Sequence, residues 1–134
     1  MIMATARENE IGKVVVDAAV AVHRELGPGL LESVYEAILA DELAARGLSV
    51  ARQVLVPIAY KGRQIDDGYR ADIVVDGIVV LELKSIESLR DVHKKQLLTY
   101  LKLSGMKLGF LLNFGEATMK KGLVRIVNGL PEGI

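Results

Sequence analysis

The chain has no cysteine and no tryptophan among its 134 residues, and its aromatic content is 4%. Without thiols, disulfide frameworks, thiolate nucleophiles and zinc–thiolate sites are all excluded. Scarce aromatics weaken any reading based on stacking single-stranded bases. Net charge is missing too, since 17 basic residues face 17 acidic ones. No overall basic field draws such a chain to nucleic acid, so binding of that kind must use a local patch. Proline occurs only three times, and there is no internal repeat, low-complexity tract or long linker. No apolar run approaches the roughly 20 residues that span a bilayer. The opening MIMATARENEIGK also lacks the basic-then-apolar order of a secretory signal. The expectation is a soluble, cytoplasmic protein with no membrane partner, forming one domain over residues 1–134.

What is present is an apolar fraction of 51% and a mean hydropathy of +0.31, enough to build a compact core. The stretch 11–26 has helical recurrence of apolar residues and ends at Gly27-Pro28-Gly29. A second helix is predicted over about 31–46, with Gly47 as its C-terminal cap. The period then changes: VARQVLVPIAY, Val50 to Tyr60, alternates and is rich in β-branched residues, so it reads as one strand, or as two divided near Pro57. KGRQIDDG reads as a turn region, and residues 69–75 and 78–84 as a hairpin. SLRDVHKKQLLTYLKLSG reads as a third helix with Ser88 as N-cap. KLGFLLNFG and GLVRIVNG read as two further strands. This order predicts an α/β (α+β) architecture, a mixed sheet flanked by helices.

The hairpin YRADIVVDGIVVLELKS places Asp72, Glu82 and Lys84 inside very apolar strands, where an unpaired charge is expensive. Glu82 and Lys84 leave one face of their strand. A two-residue Asp76-Gly77 loop would pair Val75 with Ile78 and point Asp72 to the other face. A three-residue Val75-Asp76-Gly77 loop would pair Val74 with Ile78 and set Asp72 diagonal to Glu82 on the same face. The charges favour the second register, because only it gathers them. Two converging carboxylates repel, and a divalent cation relieves the repulsion; all-oxygen ligation suits magnesium or manganese. The competing reading is a structural Asp72–Lys84 ion pair.

Helix phasing adds polar residues to apolar stripes. At 100° per residue, Leu89, His93, Gln96, Tyr100 and Leu103 share one narrow stripe, predicting a buried glutamine that must find several hydrogen bonds. Glu32, Tyr35, Glu36, Leu39 and Leu43 share a face of the second helix. Glu32 there is either a site residue or an N-terminal carboxylate placed for the helix dipole, and Glu36 is ambiguous in the same way. Arg52, Lys61, Arg63, Arg70 and Arg90 either rim a phosphate channel or are ordinary solvated cations.

GLLESVY (Gly29 to Tyr35), RAD (Arg70 to Asp72), LELKS (Leu81 to Ser85) and HKKQLLTYL (His93 to Leu101) occur in this order. Together they resemble the GxxExxY family of small bacterial and archaeal proteins, over about residues 11–127. That family belongs to the PD-(D/E)XK nuclease superfamily, and the resemblance implies a restriction-endonuclease-like αβββαβ core. It implies Glu32, Asp72 and Glu82 as metal-binding acids, with magnesium or manganese as cofactor, and Lys84 as catalytic lysine. Gln96 and Tyr100 match the Q-x-x-x-Y motif of RecB-like members. Tyr35, Glu36 and His93 are expected to support the site. The chain departs from the pattern at Ala71, where the eponymous motif has proline.

The reading that follows is a nuclease hydrolysing phosphodiester bonds, of DNA before RNA, with Lys84, Glu82, Asp72 and Gln96 as its catalytic set. A homodimer is expected to help so short a chain grip a duplex, with Arg52, Arg70, Arg63 and Lys61 lining the approach. The alternative is a catalytically inactive protein of the same fold that binds nucleic acid or a protein partner.

Overall fold

The computed structural model describes residues 2–129, with nothing said of the side chains of residues 2–6. The order is α1 (Ile2–Leu26), α2 (Glu32–Ala45), β1 (Val50–Tyr60), β2 (Arg63–Val75), β3 (Val79–Lys84), α3 (Asp91–Ser104), β4 (Leu108–Asn113), α4 (Met119–Gly122) and β5 (Leu123–Val127). The strands form one sheet in the order β1-β2-β3-β4-β5. β3 and β4 run parallel, joined through α3, and every other neighbouring pair is antiparallel. The protein therefore has the expected mixed sheet flanked by helices, the restriction-endonuclease-like arrangement.

Both faces of the central strands are apolar, so both are covered. On one face Val79, Leu81, Leu83, Phe110 and Leu112 pack under α1 and α2 through Ile11, Val15, Tyr35, Leu39 and Leu43. On the other, Val74, Val80 and Leu111 pack under Leu97 and Leu101 of α3. Alternation along β3 then sends Glu82 and Lys84 to the α3 face.

Several boundaries differ from the sequence expectations. α1 begins at Ile2 rather than near Ile11, because the polar stretch before Ile11 contains no helix breaker. Only Lys61-Gly62 turns; Arg63 to Gly68 continue β2, in a two-stranded ribbon with β1. Only Ile65 and Gly68 of these six residues are even half-buried, so no apolar alternation marks the stretch, which hid it. α3 is capped by Arg90 rather than Ser88. The short α4, capped where the Thr118 hydroxyl accepts from the Lys121 amide at 3.3 Å, was not anticipated.

The decisive hairpin has a three-residue loop, but one residue later than expected. Val75 pairs with Val79, Val74 with Val80 and Ile73 with Leu81, leaving Asp76, Gly77 and Ile78 as the loop. Asp76 (φ 50°) and Gly77 (φ 71°) occupy the left-handed region, which aspartate tolerates and glycine favours. Asp76 is held there by accepting from the Ser49 amide at 2.8 Å and from Arg7. The slip keeps the odd loop length, so Asp72 and Glu82 still belong to one level of the hairpin.

The first turn between helices is pinned from within. Tyr35, fully buried and stacked on Phe114 at 4.4 Å, donates its hydroxyl hydrogen to the Gly27 carbonyl and accepts from the Leu30 amide. Tyr35→Phe should therefore cost about 1–2 kcal/mol. Urea denaturation should show a lower midpoint at unchanged slope; a midpoint equal to that of the unaltered protein would contradict this role.

Candidate active site

The β1–β2 ribbon changes faces as it leaves the sheet. Arg52 pairs with Ile73 and Val54 with Ala71. Ile73 lies in the core under α1 and α2, whereas Ala71, Tyr69, Val54 and Val56 pack on the α3 side. Gln53, between them, has φ 51°. Residues that simple alternation would keep on one face thus swap at the Gln53–Asp72 level. The β2–β3 ladder ends at the same place, with Ile73↔Leu81 its last pair. Beyond it the Asp72 carboxylate accepts from the Leu83 amide at 2.9 Å, so a side chain satisfies the strand where backbone pairing has stopped.

The swap opens a cleft of about 270 Å³ between the ribbon and α3. It is lined by Asp67 to Arg70 on one side, His93, Gln96, Leu97 and Tyr100 on the other, and Glu82, Lys84 and Leu111 on its floor. Tyr69 stacks on Tyr100, with ring centroids 4.0 Å apart, and donates its hydroxyl hydrogen to Glu82. Burial, followed by the Asp72 charge, pushes the Glu82 carboxyl up to about 8, against the opposing pull of the Tyr69 hydrogen bond. Burial and the Glu82 charge push the Tyr69 phenol far up, so it stays a donor. Among the described residues Lys84 forms no ion pair, with Asp72 or with any other carboxylate. The structural ion pair weighed as an alternative is therefore not made.

The other candidates divide. His93, Gln96, Tyr100 and Arg70 share the cleft with Glu82 and Lys84. Gln96, however, is exposed to solvent rather than buried; Leu97 and Leu101 supply the buried face of α3, so the helix is rotated by about one residue from the expected phase. Glu32 lies outside the cleft, exposed at the start of α2, where it accepts weakly from the Ser85 amide at 3.4 Å. It borders a shallow groove with Leu31, Ser33 and Ser85, next to the residue that follows Lys84. Glu36 is buried away from the cleft, accepting from Arg52 Nε at 2.9 Å and Gln53 Nε2 at 2.7 Å. That pairing also occupies Arg52. Tyr35 is the core residue described above. Lys61 and Arg63 stand at the ribbon tip, Lys61 over the Tyr60 ring at 5.3 Å and Arg63 paired across from Tyr60. Tyr69 was missed: at three residues from Asp72, alternation assigns it to the opposite face, and only the swap brings it to Glu82.

Whether the residues suit a divalent cation follows from the donor set. Among the described residues no three His, Asp or Glu side chains are gathered to hold a metal ion. Two carboxylates are crowded, and burial, followed by the Asp72 charge, pushes Glu82 toward its protonated form. Magnesium commonly takes one or two carboxylates and completes its shell with water and substrate phosphate. Asp72 and Glu82 fit that pattern, whereas Glu32 lies outside the cleft, on the Ser85 amide that follows β3.

The Glu82 shift has a consequence for stability in the absence of divalent cations. Glu82 titrates near 4.5 when ordinary and near 8 when folded. Between those values the folded chain keeps a proton that the unfolded chain has lost, so raising the pH favours unfolding. Stability should fall from pH 5 to pH 8, measured by urea denaturation in EDTA, and Glu82→Gln should remove that component of the slope. An identical slope in the variant would contradict the crowding of the acids.

Comparison with known proteins adds one family. The model described as PD-(D/E)XK nuclease superfamily matches residues 9–126, whereas neither the curated proteins nor the solved structures provide a match. That span runs from α1 into β5 and takes in both carboxylates, Lys84 and the whole of α3. The chain belongs to the PD-(D/E)XK nuclease superfamily.

Proposed function

We propose that the chain is a divalent-metal-dependent nuclease that hydrolyses phosphodiester bonds of DNA at the Asp72–Glu82–Lys84 cleft. The observation that carries the reading is a cleft floor that holds Glu82, crowded from behind by the Asp72 charge, beside Lys84, which pairs with no carboxylate among the described residues. A purely structural charge cluster would pair its members. The superfamily match supports nuclease chemistry, whose members are generally dependent on divalent metals. The order of the four motifs supports the finer GxxExxY assignment.

Asp72 and Glu82 would hold the cation, magnesium or manganese, with Glu32 as a candidate third carboxylate. When bound, the cation supplies Lewis-acid polarisation of a phosphate oxygen and a more acidic water at neutral pH. Asp72 is oriented by the Leu83 amide and Glu82 by the Tyr69 hydroxyl, so neither carboxylate needs to reorganise. Lys84 stabilises the charge growing on the phosphate. Gln96, on the opposite wall, orients the substrate or the attacking water, and Arg70 attracts the polyanion. The 134 residues are taken as one nuclease-like domain acting in the cytoplasm, with a homodimer as the assembly that would enlarge its grip on a duplex. That no third carboxylate or histidine joins Asp72 and Glu82 among the described residues favours a second reading, an inactive relative that binds nucleic acid without cutting it.

A screen of linear, nicked, branched and single-stranded DNA and RNA with manganese or magnesium separates the two. Cleavage should stop in EDTA and fall by about 10²–10³-fold or more in Lys84→Ala and Asp72→Asn proteins of intact fold. Cleavage undiminished in pure Lys84→Ala protein would overturn the assignment, and binding without any cleavage would favour the inactive relative.

A further inference from the structure

The start of α3 fixes the chemistry of a residue in the cleft. The Arg90 amide donates its hydrogen to His93 Nδ1 at 3.0 Å, and the His93 amide donates to the Arg90 carbonyl, also at 3.0 Å. An amide N–H has only a hydrogen to offer, so Nδ1 must present its lone pair. The one hydrogen of the neutral ring then resides on Nε2. The ring lines the cleft beside Glu82, Lys84 and Gln96. Among the described residues Nε2 has no protein acceptor, and it is not sealed from solvent.

We propose that His93 is a fixed hydrogen-bond donor, presenting Nε2–H to a non-bridging phosphate oxygen of the substrate; the inference rests on the nuclease reading above. The locked tautomer excludes the commoner histidine roles. As a base the ring has no lone pair to offer, since Nε2 is protonated and Nδ1 is occupied. As an acid it would leave an imidazolate anion in a cleft that already holds the Glu82 carboxyl. What remains is a neutral donor whose orientation is set before substrate arrives, which is the arrangement that stabilises developing charge without reorganisation. The same bond that closes the first turn of α3 thereby aims the donor, so helix capping and substrate recognition share one ring.

The chain has only two histidines, so ring-nitrogen NMR can read the tautomer directly, with His93→Gln assigning the signals. The expected spectrum of neutral His93 has a protonated Nε2 and a bare Nδ1. Adding a short DNA duplex in EDTA should shift the Nε2 signal and slow exchange of its hydrogen with water. A protonated Nδ1, or an Nε2 signal unmoved by the duplex, overturns the proposal. Turnover gives an independent arm. Gln and Glu both cap a helix from its third position, but only Gln also offers an N–H. His93→Gln should keep kcat/KM within about tenfold, and His93→Glu should lose about 10²–10³-fold at an unchanged Tm. Equal activity in the two variants overturns the donor role while leaving the nuclease reading intact. Wild-type protein that binds the duplex and shows the expected tautomer but cuts nothing fails the nuclease reading instead, and the transition-state role with it.

Discussion

The bond on which the site depends is the one from the Leu83 amide to the Asp72 carboxylate, at the point where β2 and β3 stop pairing. An antiparallel ladder carried on past Ile73↔Leu81 would satisfy that amide with backbone and leave Asp72 to alternate as any strand residue does. Instead the β1–β2 ribbon swaps faces at Gln53 and Asp72, and the carboxylate takes over the work of a carbonyl. One geometric event therefore ends the β2–β3 ladder, opens the cleft and sets an acid beside Glu82. The cost is a left-handed residue at Gln53 and a half-buried pair of acids, costs that an ordinary sheet edge would avoid.

The electrostatics follow from that placement. Glu82 cannot shed its proton freely beside Asp72 in a half-buried cleft. Tyr69 is held as a donor to Glu82 by the same burial, and its stacking on Tyr100 ties the acid pair to α3. Lys84 completes the group without joining it in an ion pair. Two acids crowded in this way repel one another once both are ionised, and a divalent cation held between them would relieve that repulsion.

Much of this was legible in the chain, because alternation and helical period are strong wherever a face is buried. The mixed sheet and the extent of β1 came from such patterns, although β1 was open to division near Pro57; the odd loop of the hairpin came from the charges it gathers, and α2 differs from expectation by one residue at each end. Legibility failed where no buried face imposes a period. The ribbon from Arg63 to Gly68 is mostly exposed, so its strand looked like a turn. Tyr69 was hidden by a face swap that leaves no mark in a hydrophobic pattern. Gln96 was placed in the core because its stripe includes Leu89 and Leu103, yet the helix rests on Leu97 and Leu101 instead. Glu36, ambiguous from phasing alone, proved to be the partner of Arg52 and Gln53. A long-range pairing of that kind has no local signature.

The most direct test of the crowded acid pair is calorimetric titration of magnesium or manganese near pH 7, repeated in buffers of different ionisation enthalpy. With Glu82 titrating near 8, binding at the Asp72–Glu82 pair should release close to one proton per ion, and Asp72→Asn should abolish the binding. No binding, or binding without proton release that survives Asp72→Asn, would contradict the account.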